Sequence, residues 1–528
     1  MTEQMEMACD TRSRTWSEVL AGQAEHNGGL TALVDDHGAL LDYFGLHREV
    51  GRAGAMWQEA GVCPGDRVAI LGRNSVEFAV NLFGLSRVGA IPLLLNWRLT
   101  PDELRGIAEL TGPTAIAHDP DFDEGARAVV PDGPRFAMHD DPARATAELR
   151  AQLPDDTPIP DARAADYFAL LHTSGTTGLP KVVPLTHAGM LRGCRVLAVP
   201  ADQRTGDVHL RFTPHFHLAG LHELGSALLT AGVSYLHSTF DPERWVDAVA
   251  ELGVNFGCLP PAALAQVVAC AEARTQAVDL TSLHEIWYGT APAGPELVSS
   301  AARVLGCGLR QIYGMTEAQI GVAILTPDDH RAGGEILAGA GRPLPEWEVA
   351  FRAPDGTVEA DRPGVTGELL IRGPYLFDGY WNLDGRRGAD VDDDGWYATG
   401  DIATLGDDGR LRIVDRAKDM IVSGGENVYP AEVEARLSVH PDVAEISCIG
   451  VPDAQWGEVV HAVVVPRAGA DFDTDAFLTW SRTQIAGFKR PRSVEVAAVL
   501  PRNATGKILK RVMRDSYRDA GLAAPAHG

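Results

Sequence analysis

The sequence predicts an α/β protein that carries a smaller α+β domain at its C-terminal end. From about Thr15 to Asp401, apolar strand-like runs alternate with helical patterns, as in DRVAILG followed by SVEFAVNLFGLSRVG and AIPLLLN. That alternation is typical of parallel βαβ units. Between Ala340 and Arg412, short strands separated by Gly, Pro and Asp predict a β-rich subdomain.

The C-terminal region has the features of a separate domain. A chain of 528 residues exceeds what one hydrophobic core usually organises, so at least two domains are expected. The region contains strand-like runs, EISCIGV and HAVVVP, and helical patterns over Ala431 to Ser438 and Asp473 to Ile485. We therefore predict an N-terminal domain over residues 1–415 and a C-terminal domain over residues 416–528.

Net charge and cysteine content limit which binding partners and which cellular compartment are expected. A formal net charge of −26 would repel a nucleic-acid backbone or an anionic membrane surface, so neither is expected as a partner. The seven cysteines form no CxxC pair and are odd in number, which favours a reduced intracellular compartment. Because the sequence shows neither a secretory leader nor an uninterrupted apolar span, we expect a cytoplasmic protein without membrane spans. The oligomeric state is not predicted.

The most informative segment is LLHTSGTTGLPKVVPLTH, from Leu170 to His187. An apolar strand leads into a loop with flexible glycines, several hydroxyls and a lysine, and such a loop can surround phosphate oxygens with N–H and O–H donors. A Walker A loop is excluded because Leu and Pro, not Gly, precede Lys181. An ordinary polar turn is the alternative. The candidate phosphate-binding residues are Thr173, Ser174, Gly175, Thr176, Thr177, Gly178 and Lys181.

This string resembles the signature of the adenylate-forming superfamily of acyl-CoA synthetases, luciferases and nonribosomal adenylation domains. Further segments similar to that family's motifs follow in order: YGMTE, YATGD, IVDRAKDMIVSGGENVYPAEVE and LPRNATGKILKR. Overall the chain is most similar to the acyl-CoA synthetases that act on fatty or aryl acids. The resemblance implies a large N-terminal domain of two doubly wound βαβ subdomains and a β-rich subdomain, followed by a small mobile α+β domain.

By this resemblance, the motifs supply an ATP site. Glu317 would hold Mg²⁺ on the triphosphate, a task suited to a carboxylate. Asp401 would accept both ribose hydroxyls, and Arg416 would bind ribose or phosphate oxygens. A surface ion pair between Arg416 and Asp419 is the structural alternative. The remaining residues expected around the adenosine part are Thr290, Ala291, Pro292, Tyr313 and Thr316.

The same resemblance implies roles outside the nucleotide site. Lys507 would be the catalytic lysine, bridging the negative carboxylate and α-phosphate during adenylation. Lys418 would be the hinge of a domain rotation. His217 would close the acyl pocket near the carboxylate; a zinc cluster of His215, His217 and His222 is the rival, but no fourth ligand is evident. The other acyl-pocket residues are Trp287, Tyr288, Gly289, Gly314 and Met315, and those of the thiol tunnel are Gly424, Gly425 and Lys489.

The expected function is a two-step ligation. An acid and ATP·Mg²⁺ would give an acyl-adenylate and pyrophosphate, and coenzyme A would then take the acyl group to give a thioester and AMP. A loader of a carrier protein, an enzyme that stops at the adenylate, and a non-catalytic nucleotide-binding protein on the same fold remain as alternatives. Aryl, fatty and polycyclic acids are all open. Two departures from the family pattern are Val182, where Gly is common, and Glu346-Trp347, where Pro-Gly is common; the former could alter loop mobility.

Overall fold

The computed structural model describes most of the chain. The residues described are 15–139, 146–153, 167–173, 180–275, 278–291, 293–353, 355–360, 362–381, 391–423, 426–453, 455–502 and 508–519. The chain divides into two compact units. The first comprises residues 1–337, 344–346 and 373–395, and the second comprises residues 338–343, 347–372 and 396–528. The predicted domain division at residues 415–416 stays a prediction.

The first unit is built on two mainly parallel sheets. Its strands are β1 Thr31–Asp35, β2 Leu40–Asp42, β3 Arg67–Leu71, β4 Ile91–Leu94, β5 Ala115–His118, β6 Arg135–Ala137, β7 Tyr167–Thr173, β8 Lys181–Thr186, β9 Val208–Arg211, β10 Val233–Leu236, β11 Phe256–Cys258, β12 Glu285–Gly289, β13 Gly308–Gly314 and β14 Gly321–Leu325. One sheet has the order β6-β5-β3-β4-β7-β8. The strands of the other follow the order β14-β13-β12-β11-β9-β10-β1-β2. Only the pairs β7/β8, β1/β2 and β13/β14 are antiparallel within these runs.

Helices alternate with these strands, as the sequence predicted. They are α1 Trp16–Asn27, α2 Tyr43–Glu59, α3 Val76–Arg87, α4 Pro101–Thr111, α5 Asp123–Val129, α6 Thr146–Ala151, α7 His187–Ala198, α8 Leu218–Thr230, α9 Pro242–Leu252, α10 Pro261–Ala273, α11 Pro295–Leu305 and α12 Pro327–Ala332. The mixed α/β fold class is therefore confirmed.

Local sequence explains where these helices begin. The hydroxyl of Ser75 accepts a hydrogen bond from the Phe78 N–H and starts α3. Thr100 and Glu103 form a reciprocal capping box at α4, with Pro101 at its first position. Ser75 follows β3 and Thr100 follows β4, so these caps fix where the chain turns into a helix after each of the two strands. The carboxyl ends of the strands are where ligands bind in open α/β sheets.

The second unit contains two further sheets. Its strands are β15 Arg342–Pro343, β16 Glu348–Arg352, β17 Val358–Ala360, β18 Thr366–Arg372, β19 Tyr397–Leu405, β20 Leu411–Arg416, β21 Ile421–Ser423, β22 Glu426–Val428, β23 Val443–Asp453, β24 Gly457–Pro466 and β25 Ser493–Val496; its helices are α13 Pro430–Leu437, α14 Thr474–Gln484 and α15 Lys510–Asp519. One sheet is antiparallel, in the order β17-β16-β18-β19-β20. The other has the order β22-β21-β24-β23, with β25 beside β24. Among the described helices of the chain, none has the length and apolar character needed to cross a membrane.

Candidate active site

The hairpin of β7 and β8 carries the two ends of the predicted phosphate-binding loop. Thr173, the last residue of β7, lies opposite Lys181, the first residue of β8. The ammonium of Lys181 lies 4.1 Å from the centroid of the Tyr380 ring, which is a cation–π contact. The loop residues Ser174, Gly175, Thr176, Thr177 and Gly178 lie outside the described residues.

Val182 belongs to the core rather than to the loop. Its side chain is buried in the same cluster as Leu93 and Leu170, and its carbonyl accepts a hydrogen bond of 2.8 Å from the Trp381 N–H. Unlike a glycine, this residue contributes apolar contacts to the sheet directly beside Lys181. Val182, where the family commonly has glycine, therefore lies in strand β8 and packs in the core. Glu346, the first residue of the other departure, forms an ion pair with Arg192.

A buried carboxylate lies after the end of β13. Glu317 sits in a short 3-10 turn, Thr316–Ala318, and is 8% exposed. Its Oε1 accepts a hydrogen bond of 2.7 Å from the Tyr380 hydroxyl, and its carbonyl accepts one of 2.9 Å from the Phe377 N–H. Tyr380 therefore contacts both Glu317 and Lys181, which the sequence motifs had placed in one triphosphate site.

Gln319 fixes this turn to its surroundings. It has a left-handed backbone with φ of 59°, a conformation that few residues other than glycine adopt. Its Oε1 accepts a hydrogen bond of 2.7 Å from the Thr186 N–H, and its Nε2 donates one of 3.0 Å to the Tyr375 carbonyl. The backbone carbonyl of Gln319 accepts a further bond of 2.9 Å from His222. The strand that begins at Lys181 and the turn that carries Glu317 are thereby joined.

His217 lies at the N-terminal end of α8 and is held neutral. Burial, together with the neighbouring His172 and Arg98, lowers the pKa of His217 to about 3. Burial also lowers the pKa of His172 to about 4, and the His172 Nε2 accepts a hydrogen bond of 3.0 Å from the Asn96 N–H. No described residue forms a hydrogen bond with the buried Nε2 of His217. His217 can thus offer a neutral imidazole to a ligand, but not a positive charge.

The three histidines of the zinc alternative have different surroundings. The His215 ring packs edge-on against Phe78, whereas the His217 ring packs against Phe216. His222 is hydrogen-bonded to a backbone carbonyl. Within the described ranges, no group of three or more His, Cys, Asp or Glu side chains is arranged to hold a metal ion.

Residues at the end of β12 are divided between the two faces of the sheet. Trp287 is buried with Val196, Leu197 and Ile324, and its Nε1 donates to Glu285. Tyr288 lies in the large core cluster of the first unit, and its hydroxyl lies 2.7 Å from the Nε2 of His330. Because consecutive strand residues point to opposite faces, Trp287 and Tyr288 do not line the same surface.

Gly289 and Thr290 show why this strand end needs particular backbone conformations. A Cβ at Gly289 would lie 2.4 Å from the Ile312 carbonyl oxygen, so only glycine permits this approach of β12 and β13. Thr290 has φ of 68°, which is strained for a β-branched residue and is typical of functional loops. Ala291 follows it, while Pro292 lies outside the described residues. The neighbouring end of β13 carries three further predicted residues, Tyr313, Gly314 and Met315.

The second unit brings Asp401 and Arg416 together. They are register partners on β19 and β20, and Arg416 Nε lies 2.6 Å from Asp401 Oδ1. Asp401 is 3% exposed, whereas the Arg416 side chain is 37% exposed. Asp419 pairs with Arg514 at 2.7 Å, so the alternative pairing of Arg416 with Asp419 is not the one formed. A buried carboxylate and a half-exposed guanidinium therefore lie side by side on neighbouring strands.

The remaining predicted residues of the second unit are Lys418 and Lys489. Lys418 lies in a 3-10 turn between β20 and β21, where burial lowers the pKa of its ammonium. Lys489 pairs with Glu432 near the start of α13, with N–O distances of 2.7 and 2.8 Å. Gly424, Gly425 and Lys507 lie outside the described residues.

The donors present fit a magnesium ion held on a triphosphate. Mg²⁺ prefers hard oxygen ligands and commonly takes one or two carboxylates, with phosphates and water completing its shell. Glu317 supplies one carboxylate, and its Oε1 is already oriented by the Tyr380 hydroxyl. Bound there, the ion would offset charge on the phosphates.

Comparison with known proteins identifies the family. Residues 20–381 match the family described as AMP-binding enzyme, and residues 432–507 match the AMP-binding enzyme C-terminal domain. The chain belongs to this family. Its resemblance to adenylate-forming enzymes is confirmed, as is the predicted class of an AMP-forming acid–thiol ligase.

Curated relatives and solved structures cover nearly the whole chain. A feruloyl-CoA synthase of an Amycolatopsis species is 39% identical over 490 residues, covering 91% of this chain and 94% of that protein. The fatty acid–[acyl-carrier-protein] ligase ScoC of Streptomyces coeruleorubidus is 34% identical over 509 residues, with 96% of each chain covered. The crystal structure of ATP-bound MatB from Rhodopseudomonas palustris has a TM-score of 0.86 and 27% identity, covering 96% of this chain and 99% of that chain.

Sequence reasoning missed three residues that the structure places at the site. Tyr380 and Gln319 form hydrogen bonds with a predicted site residue or its segment, and His172 helps to lower the pKa of His217. His172 lies inside the segment from Leu170 to His187, and Gln319 lies two residues after Glu317, so both could have been found by considering every residue in and beside the motifs. Tyr380 follows Gly379 in a segment with no polar motif, so nothing in the sequence indicated its two charged neighbours.

Proposed function

We propose that this enzyme activates a carboxylic acid bearing an aromatic ring and transfers it to coenzyme A. The observation that carries the proposal is the grouping of Lys181 and Glu317 around one tyrosine ring. A cation and an oxygen ligand for Mg²⁺ are the two groups that a bound triphosphate requires. The pair of Asp401 and Arg416 supplies acceptors and a donor suited to a ribose.

In the first half-reaction, a carboxylate oxygen of the acid attacks the α-phosphorus of ATP. The bond between the α-phosphorus and the bridging oxygen breaks, and pyrophosphate leaves with that oxygen. Lys181 attracts the β- and γ-phosphate oxygens, while Lys507 offsets the charge where the carboxylate meets the α-phosphate. His217 donates a neutral N–H to the acid, because its low pKa keeps the imidazole uncharged at neutral pH.

In the second half-reaction, the thiolate of coenzyme A attacks the carbonyl carbon of the adenylate and AMP leaves. We propose that Gly424 and Gly425 line the path of the thiol and that Lys489 binds near it. Residues 416–528 would rotate about Lys418, so that Lys507 serves the first step and the two glycines serve the second. The predicted domain boundary at residues 415–416 would then lie beside the hinge of this rotation.

An aromatic acid is favoured by two observations. The acid site adjoins an uncharged imidazole at His217, whose ring packs against Phe216. The feruloyl-CoA synthase that is 39% identical acts on an aromatic acid, as its name states. Fatty acids remain a second candidate, because the relative ScoC is named for a fatty acid and a carrier protein.

The test is a screen of purified protein with ATP, Mg²⁺ and a panel of aryl, fatty and polycyclic acids. Pyrophosphate release reports the first step, and mass spectrometry of acyl-CoA or acyl-carrier products reports the second. We expect aryl acids to give the highest kcat/KM and CoA thioesters as products. Release of adenylate without thioester at saturating coenzyme A would exclude the ligase, and loading of a carrier protein alone would replace coenzyme A as acceptor.

A non-catalytic nucleotide-binding protein is tested by Lys507→Ala. This variant should lose most pyrophosphate release, yet it should still convert a premade acyl-adenylate and coenzyme A to the thioester, because the lysine acts only in the first step. If both half-reactions survive, the assignment of Lys507 is wrong. A cytoplasmic location stays a prediction from the cysteine pattern and the apolar pattern of the sequence.

A further inference from the structure

Tyr380 lies between two groups of opposite charge. Its ring faces the ammonium of Lys181 at 4.1 Å from the centroid, and its hydroxyl donates a hydrogen bond of 2.7 Å to Glu317. The ring therefore contacts the cation while its polar tip contacts the anion. A tyrosine is suited to this because its face is electron-rich and its edge carries a strong donor.

The segment that carries Tyr380 is attached to the segments of both charged residues. Phe377 N–H donates to the Glu317 carbonyl at 2.9 Å, and Trp381 N–H donates to the Val182 carbonyl at 2.8 Å. The Phe377 ring packs edge-on against Tyr380 at 4.9 Å between centroids. Backbone hydrogen bonds on each side of Tyr380 thus fix the ring between the turn of Glu317 and the strand of Lys181.

We propose that Tyr380 is a positioning residue of adenylation, which keeps Lys181 and Glu317 apart and presents both to ATP·Mg²⁺. Without the ring, an ammonium and a carboxylate in this partly buried region would attract each other and form a direct ion pair. Such a pair would have to break before the lysine could bind phosphate and the glutamate could bind the metal. With Tyr380 in place, the lysine leaves only a neutral ring when it binds phosphate, while the hydroxyl stays on one oxygen of Glu317 and orients the carboxylate towards the metal.

The inference rests on the proposed function. The contact of the ring with Lys181 and the hydrogen bond of the hydroxyl to Glu317 can be tested separately. Tyr380→Phe keeps the ring face for Lys181 and removes only the hydroxyl that orients Glu317. Tyr380→Leu removes both contacts. The first variant should therefore affect the metal alone, and the second should affect the metal and the nucleotide.

Metal binding is measured first, without turnover. Mn²⁺ binding to the enzyme with α,β-methylene-ATP is followed by electron paramagnetic resonance. Loss of a hydrogen bond to a charged group should weaken Mn²⁺ binding of Tyr380→Phe about tenfold. The affinity of the metal-free analogue, measured by calorimetry, should stay within about twofold. Tyr380→Leu should weaken both, and in turnover assays it should raise the KM for ATP and the Mg²⁺ requirement.

The matched control is Tyr43→Phe, which removes another buried hydroxyl from the same unit. Tyr43 donates a hydrogen bond of 2.7 Å to the Gly232 carbonyl, away from the charged residues. It should lower thermal stability without changing Mn²⁺ affinity. Unchanged Mn²⁺ affinity in Tyr380→Phe, or an equal change in Tyr43→Phe, would overturn the inference.

The outcomes separate this inference from the proposed function. If the wild-type enzyme adenylates an acid while Tyr380→Phe binds Mn²⁺ normally, the positioning role fails and the function stands. If the wild-type enzyme adenylates no acid but the tyrosine variants change Mn²⁺ and nucleotide binding as expected, the proposed function fails, and the role of Tyr380 in positioning Lys181 and Glu317 for ATP and metal stands.

Discussion

Gly289→Ala tests the geometry of the site with a single methyl group. The new Cβ would lie 2.4 Å from the carbonyl oxygen of Ile312, its register partner on β13. Ordinary contact needs a separation larger by roughly 1 Å. Because the contact atom belongs to the backbone, a side-chain rotation cannot relieve it, and β12 must move away from β13.

Two magnitudes follow from that displacement. Overpacking of a buried site typically destabilises a protein by about 1–3 kcal/mol. A displacement of about 1 Å in residues that position a substrate can lower the rate about 100-fold. The loop that moves carries Thr290 and Ala291, which we propose to flank the adenine. We therefore expect kcat/KM to fall about 100-fold, together with a loss of stability of about 1–3 kcal/mol.

The assay measures pyrophosphate release against acid and ATP concentration, with equilibrium unfolding of the same protein. Gly294→Ala is the matched control, since nothing lies within 4 Å of its added Cβ. Gly294 is the N-cap of α11, so alanine there should cost about 1 kcal/mol of stability without moving β12. If Gly289→Ala keeps kcat/KM within about threefold of wild type, the close approach of the strands does not position the substrate.

Three further predictions concern charge. Asp401→Asn should raise the KM for ATP about tenfold or more, because it removes one charged acceptor and the partner of Arg416; normal ATP kinetics would contradict the ribose assignment. Glu432→Gln should lower the KM for coenzyme A about two- to fivefold, because it releases Lys489 from a partly exposed ion pair. Lys489→Gln should raise this KM. Equal KM values in the two variants would exclude Lys489 from the thiol site. The free energy of unfolding should fall as the pH falls from 6.5 towards 4, because buried neutral imidazoles take up protons only on unfolding. Glu223, with a pKa raised to about 7, acts in the opposite direction, as do five other described carboxyls with raised pKa values. Nine described histidines with lowered pKa values outnumber these six carboxyls, and a flat profile from pH 7 to 5 would refute the sign. The other five of these histidines, whose pKa values burial lowers to about 3 or 4, are His172, His187, His215, His217 and His222.

Regular alternation in the sequence was enough to predict the parallel part of the fold. DRVAILG became β3, Arg67–Leu71, and the following amphipathic run became α3, whose start is fixed by Ser75. The helix expected over Ala431 to Ser438 forms as Pro430–Leu437. In these segments the hydrophobic periodicity, the capping residues and the burial all favour the same helix or strand, so the local sequence is enough to predict it.

A contact between two candidate site residues follows most directly from the sequence where one motif carries both of them. Thr173 and Lys181 are close in sequence and become register partners across a hairpin. The contact of Glu317 with Tyr380 spans 63 residues and depends on how a separate segment packs. Trp287 and Tyr288 were assigned together to the acyl pocket, but strand alternation turns them to opposite faces. A motif of consecutive residues does not show which distant segments pack together, nor on which face of a sheet each side chain lies.

The predicted ligand-binding charges are already partnered within each unit, so substrate binding is an exchange of contacts rather than a simple addition. Arg416 is paired with Asp401, Lys489 with Glu432, and Lys181 lies on the face of Tyr380. In a chain with a net charge of −26, such local contacts keep the cations near the positions where anionic groups are to bind. Each exchange replaces one internal contact by one with a phosphate, hydroxyl or carboxylate of the substrate. Because salt screens the internal pairs as well as the new ones, ATP affinity should depend on ionic strength less than the number of cations alone would suggest.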